Sequence, residues 1–168
     1  AYWQTGAKNY NGFDSHLPSV MDFPVEESIR QALETDGKQW GEGLTRVYDA
    51  VAMDYLYGDV NNILLMLGNH DMDRIADVVK DQDPRRVKLA YTLLATMRGI
   101  PQVFAGDEYA MKSSDRRLGH STLRMPLPQG KEVTPEMQDM FDYQSRLFQW
   151  RKSEPVIHTG KTMHFMSR

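Results

Sequence analysis

The chain has 168 residues and no cysteine, and 20 basic against 23 acidic side chains give it a net charge of -3. The charges are spread without long blocks, which argues against a nucleic-acid partner, and the lack of cysteine excludes disulfides and thiolate chemistry within the chain. The length allows one domain whose core hides roughly 70% of the surface of the unfolded chain, and no run of 18 apolar residues is present that could cross a membrane.

The first residues predict a loop and then a short strand. The chain begins with Ala1 rather than methionine and two aromatic residues follow at once, so we expect a piece of a longer chain. Residues 1–17 are rich in Asn, Gly, Asp and Ser and are predicted to form a loop. Residues 19–23 are predicted to be a strand that ends at Pro24, because proline favours extended geometry in the residue before it. A short helix is expected to follow.

The next elements are a helix and a buried strand. Residues 43 to about 57 predict an amphipathic helix, with Gly58 as its stop signal. Residues 63–67 are an apolar run that is too short for a helix and is closed by Gly68, so they predict a strand buried on both faces, as in a parallel sheet. The predicted inner face of the helix, read from its helical spacing, consists of Leu44, Val47, Tyr48, Val51 and Tyr55.

The second half of the chain repeats this alternation. A helix is predicted from the Asp83 N-cap to about residue 98, with Gly99 in the left-handed position that ends helices, and a strand is predicted at residues 100–105. Residues 109–133 lack periodicity and predict a long surface loop of the kind that carries function. A last helix is predicted from residue 134 to just before residue 155. The predicted inner faces are Val87, Ala90, Tyr91, Leu94 and Met97 for the first of these helices, and Met137, Met140, Phe141, Leu147 and Phe148 for the second.

Strand and helix therefore alternate three times at intervals of about 40 residues. This order is typical of parallel βα units with right-handed crossovers. The three units form either a small open sheet or part of a barrel, because a complete (β/α)8 barrel needs about 250 residues. The predicted fold class is α/β.

Three polar residues, Asn69, His70 and Asp71, stand directly after the strand at residues 63–67. Ligands of α/β sheets bind at the carboxyl ends of the strands, so these side chains are expected to face a site. They are open to three interpretations. An anionic Asp beside a donor His suits the hydroxyls of a sugar, a two-metal centre would use the Asn and the His, and both Asn and Asp can simply cap a turn.

The metal interpretation rests on a resemblance to metallophosphoesterases, which carry a similar Gly-Asn-His-Asp block. Asp14 with His16, Asp59 and His120 imitate other blocks of that family. However, Asp14 does not follow a hydrophobic strand, and no helix separates Asp59 from Asn69. The pattern is therefore incomplete.

The surrounding residues resemble the α-amylase family of glycoside hydrolases, family 13. Residues 67–74 (LGNHDMDR), followed about 30 residues later by residues 99–108 (GIPQVFAGDE), are similar to the last two barrel strands of that family. Residues 19–24 (SVMDFP) are similar to its sixth strand, above all in neopullulanases and cyclomaltodextrinases. Residues 147–156 (LFQWRKSEPV) are similar to its eighth helix. The motifs occur in the family's order and cover most of the chain.

The resemblance implies a partial (β/α)8 TIM barrel containing strands six to eight with their helices. Residues 1–168 would be the C-terminal portion of a catalytic domain, with a loop region at 1–17, three βα units at 18–155 and the start of a linker to a following domain at 156–168. No cofactor is implied, although calcium could be bound elsewhere in the parent enzyme. The open strand edges of such a piece predict self-association.

The resemblance also implies roles for individual residues. Asp71 matches the family's third carboxylate, which stabilises the transition state, and His70 matches its donor to substrate hydroxyls. Asn69 and Arg74 are placed at the substrate site as well, Asn69 chiefly to hold the loop. Structural roles are expected for Asp22, Asp107 and Glu108, and the aromatic side chains of Tyr2, Trp3 and Tyr10 are candidates for stacking on sugar rings.

Two catalytic groups of the family have no match in the chain. Its nucleophile is an Asp after the fourth strand and its general acid a Glu after the fifth, and both would precede Ala1. We therefore expect a part of a retaining α-glucan hydrolase, acting on maltodextrin, cyclodextrin or pullulan, that is inactive alone. The alternatives are a metallophosphoesterase and a non-catalytic sugar-binding or structural module. The sequence leaves open the bond specificity, hydrolysis against transglycosylation, and the cellular compartment, be it cytoplasmic, periplasmic or secreted.

Overall fold

The structure is a computed structural model and describes residues 16–161 and residue 163, with the side chain of Arg116 left out. The predicted sugar-stacking residues Tyr2, Trp3 and Tyr10, and Asp14 of the metallophosphoesterase-like pattern, lie outside the described residues. Among the helices that are described, none is both long and apolar enough to cross a membrane.

A small parallel sheet lies at the centre of the described chain. Strand β1 (Leu64–Met66) pairs in parallel with β2 (Ile100–Gln102), with Leu64 opposite Ile100. On the other side of β1, Met21 forms a parallel bridge with Leu64, supported by a hydrogen bond from Leu64 N to Val20 O at 2.9 Å. The three extended segments therefore lie side by side in the sheet in the order in which they occur along the chain. This arrangement confirms the predicted parallel βα units.

The first extended segment is shorter than predicted. The prediction of a strand over residues 19–23 was wrong, because the Asp22 carboxylate accepts a hydrogen bond from Val25 N at 3.3 Å and caps the start of helix α1 (Phe23–Glu34). Pro24 lies in the first turn of this helix, where a backbone N–H has no acceptor within the helix, so the lack of an N–H in proline costs no hydrogen bond. Strands β1 and β2 are likewise three residues long each, shorter than the apolar runs that contain them.

The four predicted helices occur among the described residues in the predicted order, one of them divided, and two short helices are present that were not predicted. The helix predicted over residues 43–57 is α2 (Thr45–Val51) followed by a 3₁₀ turn, Ala52–Leu56. Of its predicted inner face only Val47 and Val51 are buried. Leu44, Tyr48 and Tyr55 are exposed, because α2 packs on α1 through the narrow stripe of the two valines. The helices are α1 (Phe23–Glu34), α2 (Thr45–Val51), α3 (Ile75–Val78), α4 (Pro84–Thr96), α5 (Pro135–Ser153) and α6 (Pro155–Thr159).

Helix α4 agrees closely with the sequence pattern. The Asp83 carboxylate accepts from Arg85 N at 2.8 Å at its start, and the predicted stripe from Val87 to Leu94 is buried. Met97 is partly buried. Gly99 has the left-handed backbone that was predicted (φ +92), and a Cβ there would lie 2.6 Å from the carbonyl oxygen of Ile63. The position therefore requires glycine.

Helix α5 is the longest of the described helices. Thr134 caps its start by accepting from Met137 N at 3.3 Å, and the helix ends at Ser153, before the proline that was expected to stop it. Of its predicted inner face, Met140 is buried and Leu147 and Phe148 are partly buried. The one-turn helix α6 lies in the region predicted to begin a linker.

Candidate functional site

The loop after β1 is organised by Asn69. Its side-chain oxygen accepts a hydrogen bond from Asp71 N at 2.8 Å, and its backbone carbonyl accepts from Met72 N at 3.3 Å. The side-chain amide of Asn69 contacts the sulfur of Met72 at 3.3 Å. This is an Asx turn, in which a side chain replaces a backbone acceptor. The contacts of Asn69 are those of a residue that holds the loop.

The turn presents His70 and Asp71 to solvent side by side. Their side chains are 60% and 56% exposed, and His70 Nε2 lies 3.1 Å from Asp71 Oδ2. Asp71 follows the carboxyl end of the parallel strand β1, which is the end of a parallel sheet where ligands bind. Since its side chain is also exposed, the carboxylate is open to a ligand there. Of the predicted site residues, His70 and Asp71 therefore lie together at the surface.

Two further side chains reach the same carboxylate from the loop after β2. Arg124 Nη2 lies 3.1 Å from Asp71 Oδ1, and His120 Nδ1 lies 3.7 Å from the same oxygen. Sequence reasoning missed Arg124 altogether and considered His120 only within the metal pattern. The available signal was coarse: both residues lie in the aperiodic stretch 109–133, which was predicted to carry function.

Arg74 lies behind this surface rather than on it. Its side chain is 1% exposed, and Nη1 donates to Asp107 Oδ1 at 2.6 Å. Nη2 donates to the carbonyls of Leu123 at 2.6 Å and Ala105 at 3.0 Å, and the guanidinium lies 4.5 Å from the centre of the Phe104 ring. The predicted direct contact between Arg74 and substrate is not available in this arrangement, because the guanidinium is buried and both of its terminal nitrogens donate to groups of the protein.

Asp107 is the buried partner of that arginine. It also accepts from the hydroxyl of Tyr91 at 3.1 Å, while its backbone carbonyl accepts from Gln144 at 2.9 Å. Burial raises the pKa of Asp107 to about 6, although the Arg74 guanidinium opposes the shift. Burial and the nearby Asp107 also raise the pKa of Tyr91 well above its usual value. Desolvation of the carboxylate is therefore only partly offset by its partners.

The contacts of Glu108 and Asp22 agree with the structural roles predicted for them. Glu108 accepts from Gly106 N at 2.7 Å, and it lies with Asp107 in a 3₁₀ turn, Asp107–Tyr109, rather than in a strand. Asp22 accepts from Arg98 Nη1 at 2.6 Å and from the hydroxyl of Tyr57 at 3.1 Å in a buried network. These acids stabilise the ends of the extended segments.

A buried acid also supports the site loop from below. Glu26 is 1% exposed, and burial raises its pKa to about 7. Arg30 Nε lies 3.2 Å from Glu26 Oε1 as an ion pair, but this buried oxygen accepts no hydrogen bond. The same arginine donates through Nη1 to the carbonyl of Asp73 at 2.7 Å. In the sequence, Glu26 looked like an ordinary acid of a helix start.

The remaining metal pattern is not assembled. Asp59 accepts from Asn61 N at 2.9 Å and caps a 3₁₀ turn, Val60–Asn62. Throughout the described part of the chain, no three His, Cys, Asp or Glu side chains are grouped as a metal ion would require.

Parallel βα units with polar side chains at the carboxyl ends of their strands define part of a (β/α)8 barrel whose site lies at one end of the sheet. The family model described as Alpha amylase, catalytic domain, matches residues 4–164. The chain therefore belongs to the alpha-amylase family, as its motifs predicted, and the partial (β/α)8 fold is confirmed. The metallophosphoesterase alternative has no support from this match.

Individual relatives agree with this family. An alpha-amylase of Niallia circulans is 30% identical over 159 residues, which cover 95% of this chain and 28% of that protein. A cyclomaltodextrin glucanotransferase of Geobacillus stearothermophilus is 31% identical over 108 residues, 64% of this chain and 14% of that protein. The cyclic alpha-maltosyl-(1→6)-maltose hydrolase of Arthrobacter globiformis, solved with maltose, superposes with a TM-score of 0.70 at 21% identity, covering 86% of this chain and 31% of that one. The chain thus spans less than a third of the length of each.

Proposed function

We propose that Asp71 is the transition-state-stabilising carboxylate of a retaining enzyme that acts on the α-glucosidic bonds of α-glucans. The observation that carries the proposal is an exposed carboxylate at the carboxyl end of β1, flanked by a donor histidine and held by an Asx turn. The named relatives support the substrate class, because they comprise an amylase, a glucanotransferase and a maltose-bound hydrolase.

The chemistry follows from the charge of the transition state. Glycosidic bonds break through an oxocarbenium-like state with a flattened ring, and hydrogen bonds to ring hydroxyls that tighten in this state lower the barrier. Asp71 accepts from such hydroxyls, and its negative charge stabilises the developing positive charge. His70 donates to a neighbouring hydroxyl oxygen, and Asn69 keeps both side chains in place. Arg74 acts as a positioning residue, since its guanidinium joins the loops after β1 and β2.

We expect the nucleophile and the general acid to come from outside these 168 residues. Retention requires two carboxyl groups about 5 Å apart on either side of the scissile bond. Asp107 and Glu108, the two acids that directly follow β2, do not meet this requirement, because Asp107 is buried against Arg74 and Tyr91 and Glu108 accepts from the backbone of Gly106. The chain alone is therefore expected to bind sugar without cleaving it.

The test combines binding and hydrolysis on the purified 168-residue chain. Maltotriose is expected to shift the amide NMR signals of residues 68–72, and Asp71→Asn is expected to weaken binding about tenfold, the value of one charge-assisted hydrogen bond. Asp139→Asn is the control, since that exposed acid pairs with Lys88 away from the site. No release of reducing sugar from maltodextrin is expected.

Each contrary result has a distinct meaning. Hydrolysis that Asp71→Asn abolishes would show that the chain carries a complete site. An absence of maltotriose binding would remove the sugar site itself. Stoichiometric transition metal in the pure protein, lost on His70→Ala, would favour the metal-centre alternative.

A further inference from the structure

The loop that carries Asp71 is closed at its base. This loop, residues 68–73, is called the Asp71 loop below. Its two ends lie close together, because a Cβ added at Gly68 would lie 3.6 Å from the carbonyl oxygen of Asp73. The outer part of the loop is fixed by the Asx turn of Asn69, which accepts from Asp71 N. The Asp73 carbonyl therefore marks the point at which the loop is fixed to the rest of the fold.

Arg30 reaches that carbonyl from helix α1. Its Nη1 donates to Asp73 O at 2.7 Å, and its side chain is only 15% exposed. Helix α1 packs against β1 and against α3, the two elements on either side of the Asp71 loop. A hydrogen bond from a charged donor is stronger than one between neutral groups, so this contact ties the loop firmly to the helix.

The guanidinium of Arg30 lies in turn against a buried carboxyl group. Glu26 precedes it by one turn of α1 and is 1% exposed, and Glu26 Oε1 lies 3.2 Å from Arg30 Nε. That oxygen accepts no hydrogen bond, so the attraction between the two side chains is electrostatic. Because Nε and Nη1 are different donors of one planar group, Arg30 contacts the Glu26 carboxyl and the Asp73 carbonyl at the same time.

The charge of Glu26 depends on few other groups. Among the described residues, Arg30 lowers its pKa by attraction and the adjacent Glu27 raises it by repulsion, while burial has the largest effect and raises it to about 7. Strand β1 carries no titratable side chain. On the helices that pack on α1, charged side chains have other partners: Arg46 of α2 contacts Gln31, Asp77 of α3 accepts from Ser113, and Arg86 of α4 pairs with Asp36.

We propose that Arg30 is a positioning residue of the candidate site: it holds the Asp71 loop at the Asp73 carbonyl, and the Glu26 carboxylate holds its guanidinium in place. The inference rests on the proposed function and deepens it, since it assigns the support of the Asp71 carboxylate to two side chains of α1.

The hold on the loop depends on pH, because the Glu26 carboxyl is charged above about pH 7 and neutral below it. Only the charged form attracts the guanidinium strongly, so the Asp71 loop is held more firmly above pH 7 than below. The same buried charge lowers the stability of the whole fold. Loss of the charge is therefore expected to stabilise the fold and to loosen the loop.

The test measures amide hydrogen exchange of the Asp71 loop by NMR on the full 168-residue chain, without a ligand. The protection factors of the Asp71 and Met72 amides are expected to rise severalfold from pH 6 to pH 8 in the native chain and to stay constant in Glu26→Gln. Arg30→Met is expected to lower them about tenfold at pH 8, because one hydrogen bond from a charged donor is lost. Arg30→Lys is expected to recover part of the protection by keeping a charged donor.

Two controls separate the loop from the fold as a whole. Arg46→Met is the matched variant, because this arginine contacts α1 through Gln31 at 2.9 Å, and its loss is expected to leave the protection of the loop unchanged. The amides of α4 report the stability of the fold. At pH 8, Glu26→Gln is expected to raise their protection while it lowers that of the Asp71 loop, whereas a merely structural role would move both in the same direction.

Three results would overturn the role of Arg30. One is the same pH profile of loop protection in the native chain and in Glu26→Gln, since His70 and His120 lie beside Asp71 in both and the profile then belongs to them. Another is loop protection that falls as the pH rises, because the carboxylate then draws the guanidinium away from the loop. The third is equal loop protection in Arg30→Met and Arg46→Met.

Maltotriose binding, measured by calorimetry on the same chain, separates this inference from the proposed function. The affinity is expected to rise severalfold from pH 6 to pH 8 in the native chain and to lose this rise in Glu26→Gln. An affinity that does not follow the pH profile of the loop refutes the positioning role and leaves the proposed function standing. If the native chain does not bind maltotriose, the proposed function fails, and the exchange data still decide whether Arg30 holds the loop.

Discussion

The strongest test of how the site is supported is the replacement Arg74→Met, which removes the guanidinium and keeps an apolar stem in the same volume. The change leaves Asp107 buried without its cation and leaves the carbonyls of Ala105 and Leu123 without their donor. Breaking a buried ion pair from one side costs about 3–5 kcal/mol. Since a domain is stable by only about 5–15 kcal/mol, the variant is expected to be close to unfolding at neutral pH.

The loss is expected to depend on pH, and the sign follows from Asp107. Burial raises its pKa in the folded protein from 3.8 to about 6, so the contribution of its neutral form is fully present below pH 3.8 and is lost as the pH rises through about 6. Removal of Arg74 raises this pKa further, because the guanidinium is the main group that lowers it. The variant is therefore expected to lose less stability at pH 5, where the carboxyl is neutral, than at pH 8.

Urea unfolding followed by circular dichroism at pH 5 and pH 8 measures both effects. The double variant Arg74→Met with Asp107→Asn is the control: removal of the stranded charge is expected to recover part of the loss at pH 8. A loss below about 1 kcal/mol at pH 8, or an equal loss at both pH values, would refute the assignment of Arg74 as the cation that holds the buried carboxylate.

Two further substitutions test neighbouring parts of the same support. Burial raises the pKa of Glu26 in the folded protein from 4.5 to about 7, so its charged form destabilises the protein as the pH rises through about 7. Glu26→Gln removes this charge and is therefore expected to raise the free energy of unfolding above pH 7 by up to about 3 kcal/mol. The exposed Glu27→Gln is the control, and equal unfolding curves for the two variants at pH 8 would contradict the burial argument. Gly106→Ala is expected to lower the free energy of unfolding by about 2 kcal/mol, since the φ of Gly106 is +98 and a Cβ there would lie 3.1 Å from Arg74 Nη1. A thermal melt unchanged from that of the native chain would refute this prediction.

Local patterns in the sequence determined much of the fold. The apolar run at residues 63–67 marked β1, and the Asp83 cap and Gly99 marked the two ends of α4. These signals are local because caps, turn glycines and apolar periodicity act within a few residues of one another. The same locality identified Asn69, His70 and Asp71 as polar residues at a strand end, and the order of the motifs identified the family.

Only the tertiary structure decided what surrounds Asp71. Arg124 lies 53 residues further along the chain and meets the Asp71 carboxylate because β1 and β2 are neighbours, which brings the loops that follow them together. Arg74, three residues from Asp71, was expected at the substrate and instead is buried against Asp107, 33 residues away. Periodicity does not encode where a long side chain points, since that depends on which buried carboxylate lies within its reach. The sequence therefore determined which residues stand at the strand end, and packing determined that the Asp71 side chain is exposed while that of Arg74 is buried.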